Sequence, residues 1–306
     1  MRRRRHGAAI SRPGAPSTSP STSALHTAAG PRPRPPRRPQ ELLHLVWRRK
    51  LGLDGHPTPR RAWLFICWPA RLGARINARI DTALEAERAD QRPRDYLGAS
   101  RIGEPCARRL VYEVAHTPPD PGKEIGGRAP RIFAAGHVFE DLAIRWLRRA
   151  GFDLRTQTRD GGQFGFETAG GRIRGHVDGV IVAGPDVGLT WPVQWEHKAL
   201  KATSWSDTTR KGVQLSKPIY YGQMQIYMAY MGLGSALFTA LNKDTCELYH
   251  EHVAFNPPTA QALSDKAVDV LRAADAGELL PRIATSPDFY LCRFCPFATR
   301  CWEDRA

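Results

Sequence analysis

The sequence lacks several features that would place it in a common class of protein. It has no run of about 18 apolar residues, so no membrane-spanning helix is expected. The charged N-terminus is not followed by an apolar segment, so no secretory signal peptide is predicted. Internal repeats are not evident either. What is present is a chain of 306 residues, 42% hydrophobic and with eight Trp, which is enough for a sizeable core.

Acidic residues are missing from the first part of the chain. Residues 1–40 contain no Asp or Glu, and the first 61 residues carry 14 Lys or Arg against two acids. The net charge of +15 is therefore mostly a property of this segment. Because its many Pro and Arg residues cannot build a core, we predict a disordered basic tail over residues 1–60 and a folded domain over residues 61–306.

The basic tail has three interpretations. It suits nucleic acid, but a solvated extension has the same composition. It is Arg- and Ser-rich and free of acids, which also meets the loose criteria for an organellar transit peptide. The third interpretation is a true translation start at a non-ATG codon further along the chain, since no Met lies between Met1 and Met224.

Apolar periodicity and turn residues predict alternating helices and strands in the rest of the chain. The predicted helices are Glu41–Lys50, Ala70–Asp90, one that starts at Cys106, Ile132–Ala150, Pro218–Leu233 and Pro257–Gly277. The predicted strands are Phe152–Thr158, Gln163–Thr168, Arg172–Val182, Trp191–Ala199, Ser235–Asn242 and Cys246–Phe255. This order indicates an α/β fold with a mixed central β-sheet flanked by helices. Leu72, Ile76, Ile80 and Leu84 recur at four-residue steps and are expected to pack.

A predicted hairpin in the middle of the chain carries the clearest chemical pattern. Its first strand holds Asp178, and its second strand holds Glu196 and Lys198 on one face, with His197 pointing away. The two carboxylates and the backbone carbonyl of His197 are hard oxygen ligands that suit Mg²⁺ or Mn²⁺. Lys198 would then hold or deprotonate an attacking water molecule.

The cysteines near the C-terminus indicate a metal site or a cofactor. They follow the spacing C-x2-C-x5-C, ending at Cys301, in a chain with no secretory signal that would favour disulfides. An all-thiolate site needs four ligands, so the fourth must be Cys67, Cys106 or Cys246. Cys67 lies in an apolar run and Cys246 opens a predicted strand, so both are predicted to be buried core residues. This leaves Cys106 as the candidate for the fourth ligand; it lies at a predicted helix start and is followed by Arg108 and Arg109.

Two helices carry further candidates. His137 and Glu140 are one turn apart on the helix before the strands and could reach a common metal site above the sheet. Gln223 and Tyr227 share a face of the helix after the strands. Their amide and phenol groups could bond phosphate or base edges, and Tyr could stack on a base.

The order of these features resembles the RecB-like nucleases of the PD-(D/E)XK superfamily, in their iron–sulfur branch. That branch includes the CRISPR-associated adaptation exonucleases, the AddB C-terminal nuclease and the eukaryotic exonuclease five family. The resemblance covers residues 100–302, about two thirds of the chain. It implies a restriction-endonuclease-like core, closed at the C-terminus by an iron–sulfur staple over residues 286–302.

The resemblance also implies roles for individual residues. Asp178, Glu196 and Lys198 match the catalytic motif, and Gln223 and Tyr227 match a Q-x-x-x-Y motif expected to contact DNA. The predicted metal ligands are His137, Glu140, Asp178, Glu196 and, through its carbonyl, His197, with either His137 or Glu140 filling the first motif. The predicted [4Fe–4S] ligands are Cys106, Cys292, Cys295 and Cys301, and structural Zn²⁺ on the same thiolates is the alternative.

The function implied is that of a metal-dependent DNA exonuclease acting on single-stranded DNA or ends in recombination, repair or phage replication. A CRISPR spacer-processing nuclease is an alternative, and so is a non-catalytic DNA-binding module, against which the intact catalytic residues argue. The sequence has no P-loop, so a helicase or recombination protein would be a separate partner. We expect a cytoplasmic, nucleoid-associated protein unless the basic tail directs it to an organelle.

Overall fold

The computed structural model describes residues 68–91 and 94–303. The predicted tail (residues 1–60), the predicted helix Glu41–Lys50 and Cys67 lie outside the described residues. The helices described are α1 (Trp68–Ala89), α2 (Ala107–Val114), α3 (Arg128–Arg149), α4 (Ala202–Ser216), α5 (Pro218–Met231), α6 (Pro257–Ala276), α7 (Tyr290–Arg293) and α8 (Ala298–Glu303). The strands described are β1 (Leu97–Gly98), β2 (Leu154–Arg155), β3 (Gly165–Thr168), β4 (Ile173–His176), β5 (Gly179–Ile181), β6 (Val193–Leu200), β7 (Ser235–Asn242) and β8 (Leu248–Ala254).

The strands form two sheets. The larger has the order β2-β5-β6-β7-β8, in which β6 and β7 run parallel and the other neighbours run antiparallel. The smaller has the order β1-β4-β3, with β1 parallel to β4. Helices α4 and α5 make the crossover that a parallel pair requires. The predicted class, a mixed sheet flanked by helices, is confirmed.

Strand β6 is the central strand of the larger sheet, and both of its faces are covered. On one face Trp195 packs with Ala143 and Ile144 of α3. The opposite side of the sheet holds a second cluster that includes Met224 of α5 and Phe238 of β7. Most of β6 is buried, as expected for a strand enclosed between helices. A polar side chain on this strand is therefore held in a dry environment.

Helix ends follow from local sequence. Helix α5 begins with Pro218 and ends before Gly232, whose φ of 67° is the left-handed conformation that glycine adopts freely. At the start of α6 the Asn256 side chain accepts a hydrogen bond from the Thr259 N–H. The predicted helices Pro218–Leu233 and Pro257–Gly277 are confirmed to within two residues at each end.

Two expectations about the elements are wrong, and one helix was not predicted. The predicted strand Arg172–Val182 is split into β4 and β5, which belong to different sheets. Helix α4 was not predicted; its backbone breaks at Gly212 (φ 76°), which interrupts the helical pattern. In the apolar row on α1, Leu72, Ile76 and Ile80 are 44%, 50% and 41% exposed, and only Leu84 is half-buried. Within the described ranges, no helix is long and apolar enough to cross a membrane.

Candidate active site

Asp178 lies at the junction of the two sheets, between the end of β4 and the start of β5. The antiparallel register pairs Gly179 with Trp195, so one step further Asp178 comes level with Glu196. The backbone N–H of His197 donates a 2.8 Å hydrogen bond to Asp178 Oδ2. The chain therefore leaves one sheet and enters the next at the point where this carboxylate meets β6.

Glu196 is completely buried on β6, at 0% exposure. Its Oε1 accepts a 2.7 Å hydrogen bond from Gln223 Nε2 of α5 and lies 2.5 Å from Lys198 Nζ. Its Oε2 accepts a longer bond, 3.4 Å, from Gln194 Nε2 two residues earlier on the same strand face. Burial, followed by the charge of Asp178, raises the pKa of Glu196 to about 8, although Lys198 opposes the shift.

Lys198 joins the two carboxylates. Its Nζ lies 3.5 Å from Asp178 Oδ2 and donates a 2.8 Å hydrogen bond to the carbonyl of His197. It also lies 5.5 Å from the ring centroid of Tyr220. Burial alone would lower the pKa of Lys198, but the charges of Asp178 and Glu196 outweigh it and the pKa is raised. Lys198 is therefore a charged ammonium at neutral pH, suited to holding a group rather than to removing a proton. We call Asp178, Glu196 and Lys198 the acid–lysine cluster.

His197 faces the opposite side of the sheet, as alternation on a strand predicts. Its ring stacks on Trp195 with centroids 5.5 Å apart, and burial lowers its pKa to about 4. Its ring nitrogens have no hydrogen-bond partner among the described residues. The backbone contributes both polar groups to the site: the N–H holds Asp178, and the carbonyl, a predicted metal ligand, accepts from Lys198.

The pair on α3 divides between the site and the surface. Burial is the largest cause that raises the pKa of the Glu140 carboxyl. The charge of Asp178 raises it further, and the charge of Lys198 opposes the shift. The His137 side chain is 80% exposed, with Nδ1 lying 3.8 Å from Glu140 Oε2. The structure therefore brings Glu140 into the electrostatic environment of the acid–lysine cluster and leaves His137 at its outer edge.

Gln223 and Tyr227 lie beneath the cluster rather than on the surface. The Gln223 amide is taken by Glu196, and Tyr227 is 2% exposed. The Tyr227 ring meets Phe166 edge-on, 5.9 Å away, and a Cβ on Gly175 would clash with it, so this glycine makes room for the ring. Burial raises the pKa of the Tyr227 phenol. The structure does not bring either predicted DNA contact to solvent.

The donor types at this site suit a hard divalent cation. After burial, the charge of Asp178 is the next cause that raises the pKa of both Glu140 and Glu196, and a cation would relieve this repulsion between carboxylates. Asp178 Oδ1 has no partner among the described residues, whereas Oδ2 is held by His197. No group of three or more His, Cys, Asp or Glu side chains in the described ranges is already arranged to hold a metal ion. The Lys198 ammonium lies against the carboxylate oxygens instead.

The second cluster lies at the C-terminal end of the described chain. A cavity there is lined by four cysteines, and we call it the cysteine cavity; they are Cys106, Cys292, Cys295 and Cys301. Cys106 is the N-cap residue of α2, as predicted from Pro105 before it. All four are half-buried and none forms a disulfide. Burial is the main cause that raises the thiol pKa of Cys106, Cys292 and Cys295.

Cys246 is a correction to the sequence analysis. It was predicted to open a strand and to be buried, but it is exposed in the turn before β8, with a φ of 63°. Strand β7 ends at Asn242, as predicted, but β8 begins only at Leu248; Cys246 lies between them and donates a 2.7 Å backbone hydrogen bond to the Asn242 carbonyl. It is not among the residues that line the cysteine cavity.

Asp120 was missed by sequence reasoning and ties the Cys-rich segment to the rest of the fold. Its side chain accepts hydrogen bonds from the backbone N–H groups of Thr299 (2.6 Å) and Arg300 (3.3 Å), in the first turn of α8. Its own N–H donates to the Pro296 carbonyl at 2.7 Å. A carboxylate at a helix N-terminus is stabilising. Nothing in the local sequence distinguishes this Asp from an ordinary turn residue.

Comparisons with known proteins gave matches among solved structures alone. No family model matches the sequence, and no curated protein matches it. The crystal structure of an alkaline exonuclease (LHK-Exo) from Laribacter hongkongensis has a TM-score of 0.43 and 15% identity, over 60% of this chain and 89% of that chain. The crystal structure of SSO0001 has a TM-score of 0.43 and 17% identity, over 76% of this chain and 98% of that chain. LHK-Exo in complex with dAMP has a TM-score of 0.38 and 16% identity, over 58% and 91%.

Proposed function

We propose that the protein is a metal-dependent DNA exonuclease that hydrolyses phosphodiester bonds in single-stranded DNA or at DNA ends. The observation that carries this proposal is the acid–lysine cluster, in which a protonated Lys198 lies between two carboxylates from neighbouring strands. The E-x-K pattern and the order of the other motifs support the same reading through the resemblance to PD-(D/E)XK nucleases.

Asp178 and Glu196 would hold the divalent ion, with Glu140 as a third carboxylate near them. When bound, Mg²⁺ or Mn²⁺ would polarise a phosphoryl oxygen and lower the pKa of a water molecule. The chain itself orients these ligands: the His197 N–H fixes one oxygen of Asp178 and leaves the other available. Gln223 and Gln194 fix the carboxylate of Glu196 from two sides.

Lys198 would act on the substrate as a cation. Because its pKa is raised, it keeps its proton at neutral pH and can donate a hydrogen bond to the attacking water or to a phosphoryl oxygen. Negative charge that develops on the phosphate during attack would be stabilised by this ammonium in a largely dry site. The present acceptors of Lys198 Nζ, which are two carboxylate oxygens and the His197 carbonyl, all lie within 3.5 Å. A bound substrate would replace one of these contacts.

The cysteine cavity would hold a structural [4Fe–4S] cluster, with Zn²⁺ as the alternative. A single zinc needs four thiolates at about 2.3 Å from one point, and a cubane takes one thiolate on each iron, so its ligands stand further apart. Four cysteines that line one cavity are the thiolate set that either centre requires, and the resemblance to the iron–sulfur nucleases favours the cluster. Such a centre would tie α2 to the last residues of the described chain.

The proposal is tested by digestion of end-labelled single- and double-stranded DNA with Mg²⁺, Mn²⁺ or EDTA. We expect cleavage by the wild-type protein with either metal, none with EDTA, and none by Glu196→Gln in either metal. Lys243→Ala is the matched control, because Lys243 follows the neighbouring strand β7 and is exposed. Near wild-type cleavage by Glu196→Gln, with circular dichroism showing both proteins folded, would contradict the assignment.

A further inference from the structure

Arg108 is a buried arginine that points to what the cysteine cavity holds. It lies on α2, two residues after Cys106, and is 1% exposed. Its Nε donates a 2.7 Å hydrogen bond to the Leu280 carbonyl, and its Nη1 donates to the Cys301 carbonyl at 3.2 Å. The same Nη1 lies 3.7 Å from Cys301 Sγ. Its Nη2 is buried and has no hydrogen-bond partner among the described residues.

The charge of Arg108 is not balanced by a carboxylate in the described part of the chain. The next arginine, Arg109, behaves differently: it pairs with Glu104 at 3.3 Å and with Glu113 at 3.0 Å. Arginine is almost never fully buried unless it is paired, because a buried cation without an anion is strongly destabilising. The partners of Arg108 are two carbonyls and a sulfur, none of which is a formal anion when the thiol is protonated.

The anion that would balance Arg108 is available at the cysteine cavity. Four thiolates bound to Zn²⁺, or to a cubane, leave a net negative charge on the centre, whereas four protonated thiols carry none. Arg108 already touches one of these cysteines through both its carbonyl and its sulfur. Hydrogen bonds to ligand sulfurs are a main way in which proteins stabilise and tune such centres.

We infer that Arg108 is the counter-ion and sulfur hydrogen-bond donor of an anionic, thiolate-ligated centre in the cysteine cavity. This inference rests on the four-cysteine assignment proposed above and adds the charge of the group and the residue that balances it. Arg108 is a positioning residue, because it acts through Cys301.

Cys301 is held by a second arginine as well. Arg282 donates to the Cys301 carbonyl from Nε at 3.0 Å and from Nη2 at 2.8 Å. Its guanidinium also lies 5.0 Å from the Trp302 ring. Two guanidinium groups therefore converge on one ligand residue, and the buried one, Arg108, is the one that also reaches the sulfur.

The inference predicts opposite effects of one substitution on the loaded and stripped forms of the full-length protein. Arg108→Met keeps most of the side-chain length and removes the charge. In protein purified without oxygen, we expect Arg108→Met to lose its iron or zinc to a chelator about 10–100-fold faster than the wild type, the range typical of hydrogen-bond partners behind a ligand. In chelator-stripped protein, Arg108→Met should melt at a higher temperature than the wild type, because an uncompensated buried charge is gone.

Two further variants make the test decisive. Arg108→Lys keeps the charge with fewer donors, so its metal loss should fall between those of Arg108→Met and the wild type. Arg172→Met removes an exposed arginine that pairs with Asp275 and should behave as the wild type in both forms. Metal content is read by absorption and elemental analysis, and stability by thermal melting, so no step depends on nuclease activity.

The outcomes separate this inference from the proposal on which it rests. If the wild type holds a centre and Arg108→Met releases it at the same rate, Arg108 is not its counter-ion. If Arg108→Met lowers the melting temperature equally in both forms, Arg108 is a packing residue and the inference is wrong. A wild-type protein that binds neither iron nor zinc would overturn the four-cysteine assignment itself, and this inference with it. If Arg108→Met does not fold, Arg108→Lys and its rate of metal loss decide the matter alone.

Discussion

In the acid–lysine cluster each charged group has a partner of opposite charge, whereas Arg108 beside the cysteine cavity has none among the described residues. The first cluster is assembled by the register of adjacent strands in one sheet. The second joins residues that are distant in sequence: Arg108 and Cys301 are 193 positions apart. Strand pairing brings the charged groups of the first site together, whereas nothing in the described chain balances the charge of Arg108 at the second.

This difference predicts different consequences of mutation. A substitution in the acid–lysine cluster removes groups that the sheet holds in place with many other contacts, so activity should suffer more than folding. A substitution in the cysteine cavity removes a ligand of a centre whose binding is coupled to folding, so stability should suffer first.

Lys198→Ala should reduce DNA cleavage by about 10²–10³-fold, the loss typical when one group that stabilises transition-state charge is removed. Binding of DNA should persist, and the far-ultraviolet circular dichroism should be unchanged. The comparison is made by single-turnover digestion of labelled DNA with Mn²⁺, using Lys243→Ala as the control. An unfolded Lys198→Ala variant would contradict the expectation that substitutions in the acid–lysine cluster affect activity more than folding.

Replacing any one of the four cavity cysteines by Ser should release the bound centre and lower the melting temperature by on the order of 10 °C. Cys246→Ser is the control, because Cys246 is exposed and outside the cavity, and its effect should be within about 0.5 kcal/mol of zero. Iron and acid-labile sulfide analysis, with zinc measured in parallel, checks the result. Retention of the centre in Cys106→Ser would move the fourth ligand to another residue.

The sequence predicted those features of the sites that depend on residues close together in the chain, and missed those that depend on distant residues. Alternation along β6 correctly placed Glu196 beside Lys198 and His197 on the other face, because side-chain direction on a strand has a period of two. The position of Asp178 at a junction of two sheets was not predicted, because the break between β4 and β5 depends on pairing with distant partners.

Burial was harder to predict than secondary structure. The periodic row Leu72, Ile76 and Ile80 indicated a packed face, yet the described chain leaves it exposed. Tyr227 looked like a surface contact for nucleic acid, but Gly175 on a strand of the other sheet makes room for its ring. For Tyr227 the deciding neighbour lies far away in sequence, where periodicity carries no information.

Glu140→Gln should reduce cleavage by about tenfold, whereas His137→Ala should change it by less than about threefold. The reason is that the charges of Asp178 and Lys198 affect the pKa of Glu140, whereas the His137 side chain is 80% exposed. Steady-state cleavage over a range of Mn²⁺ concentrations measures both variants. The reverse order of effects would assign the first motif to His137 and would make the site less dependent on the buried carboxylates.

The smallest expected effect is a pH dependence of stability in the metal-free protein. Burial and Asp178 raise the pKa of Glu196 from 4.5 to about 8, so the folded protein favours the protonated carboxyl. That stabilisation is fully present below pH 4.5 and is lost as the pH rises through about 8. Glu196→Gln cannot ionise, so its melting temperature should gain on that of the wild type by a few degrees between about pH 5 and about pH 9. Added Mn²⁺ should abolish this advantage of Glu196→Gln, because a bound cation stabilises the ionised Glu196 carboxylate of the wild type. A difference between the two proteins that does not vary with pH would mean that Lys198 alone compensates Glu196, and that the acid–lysine cluster needs no metal to be stable.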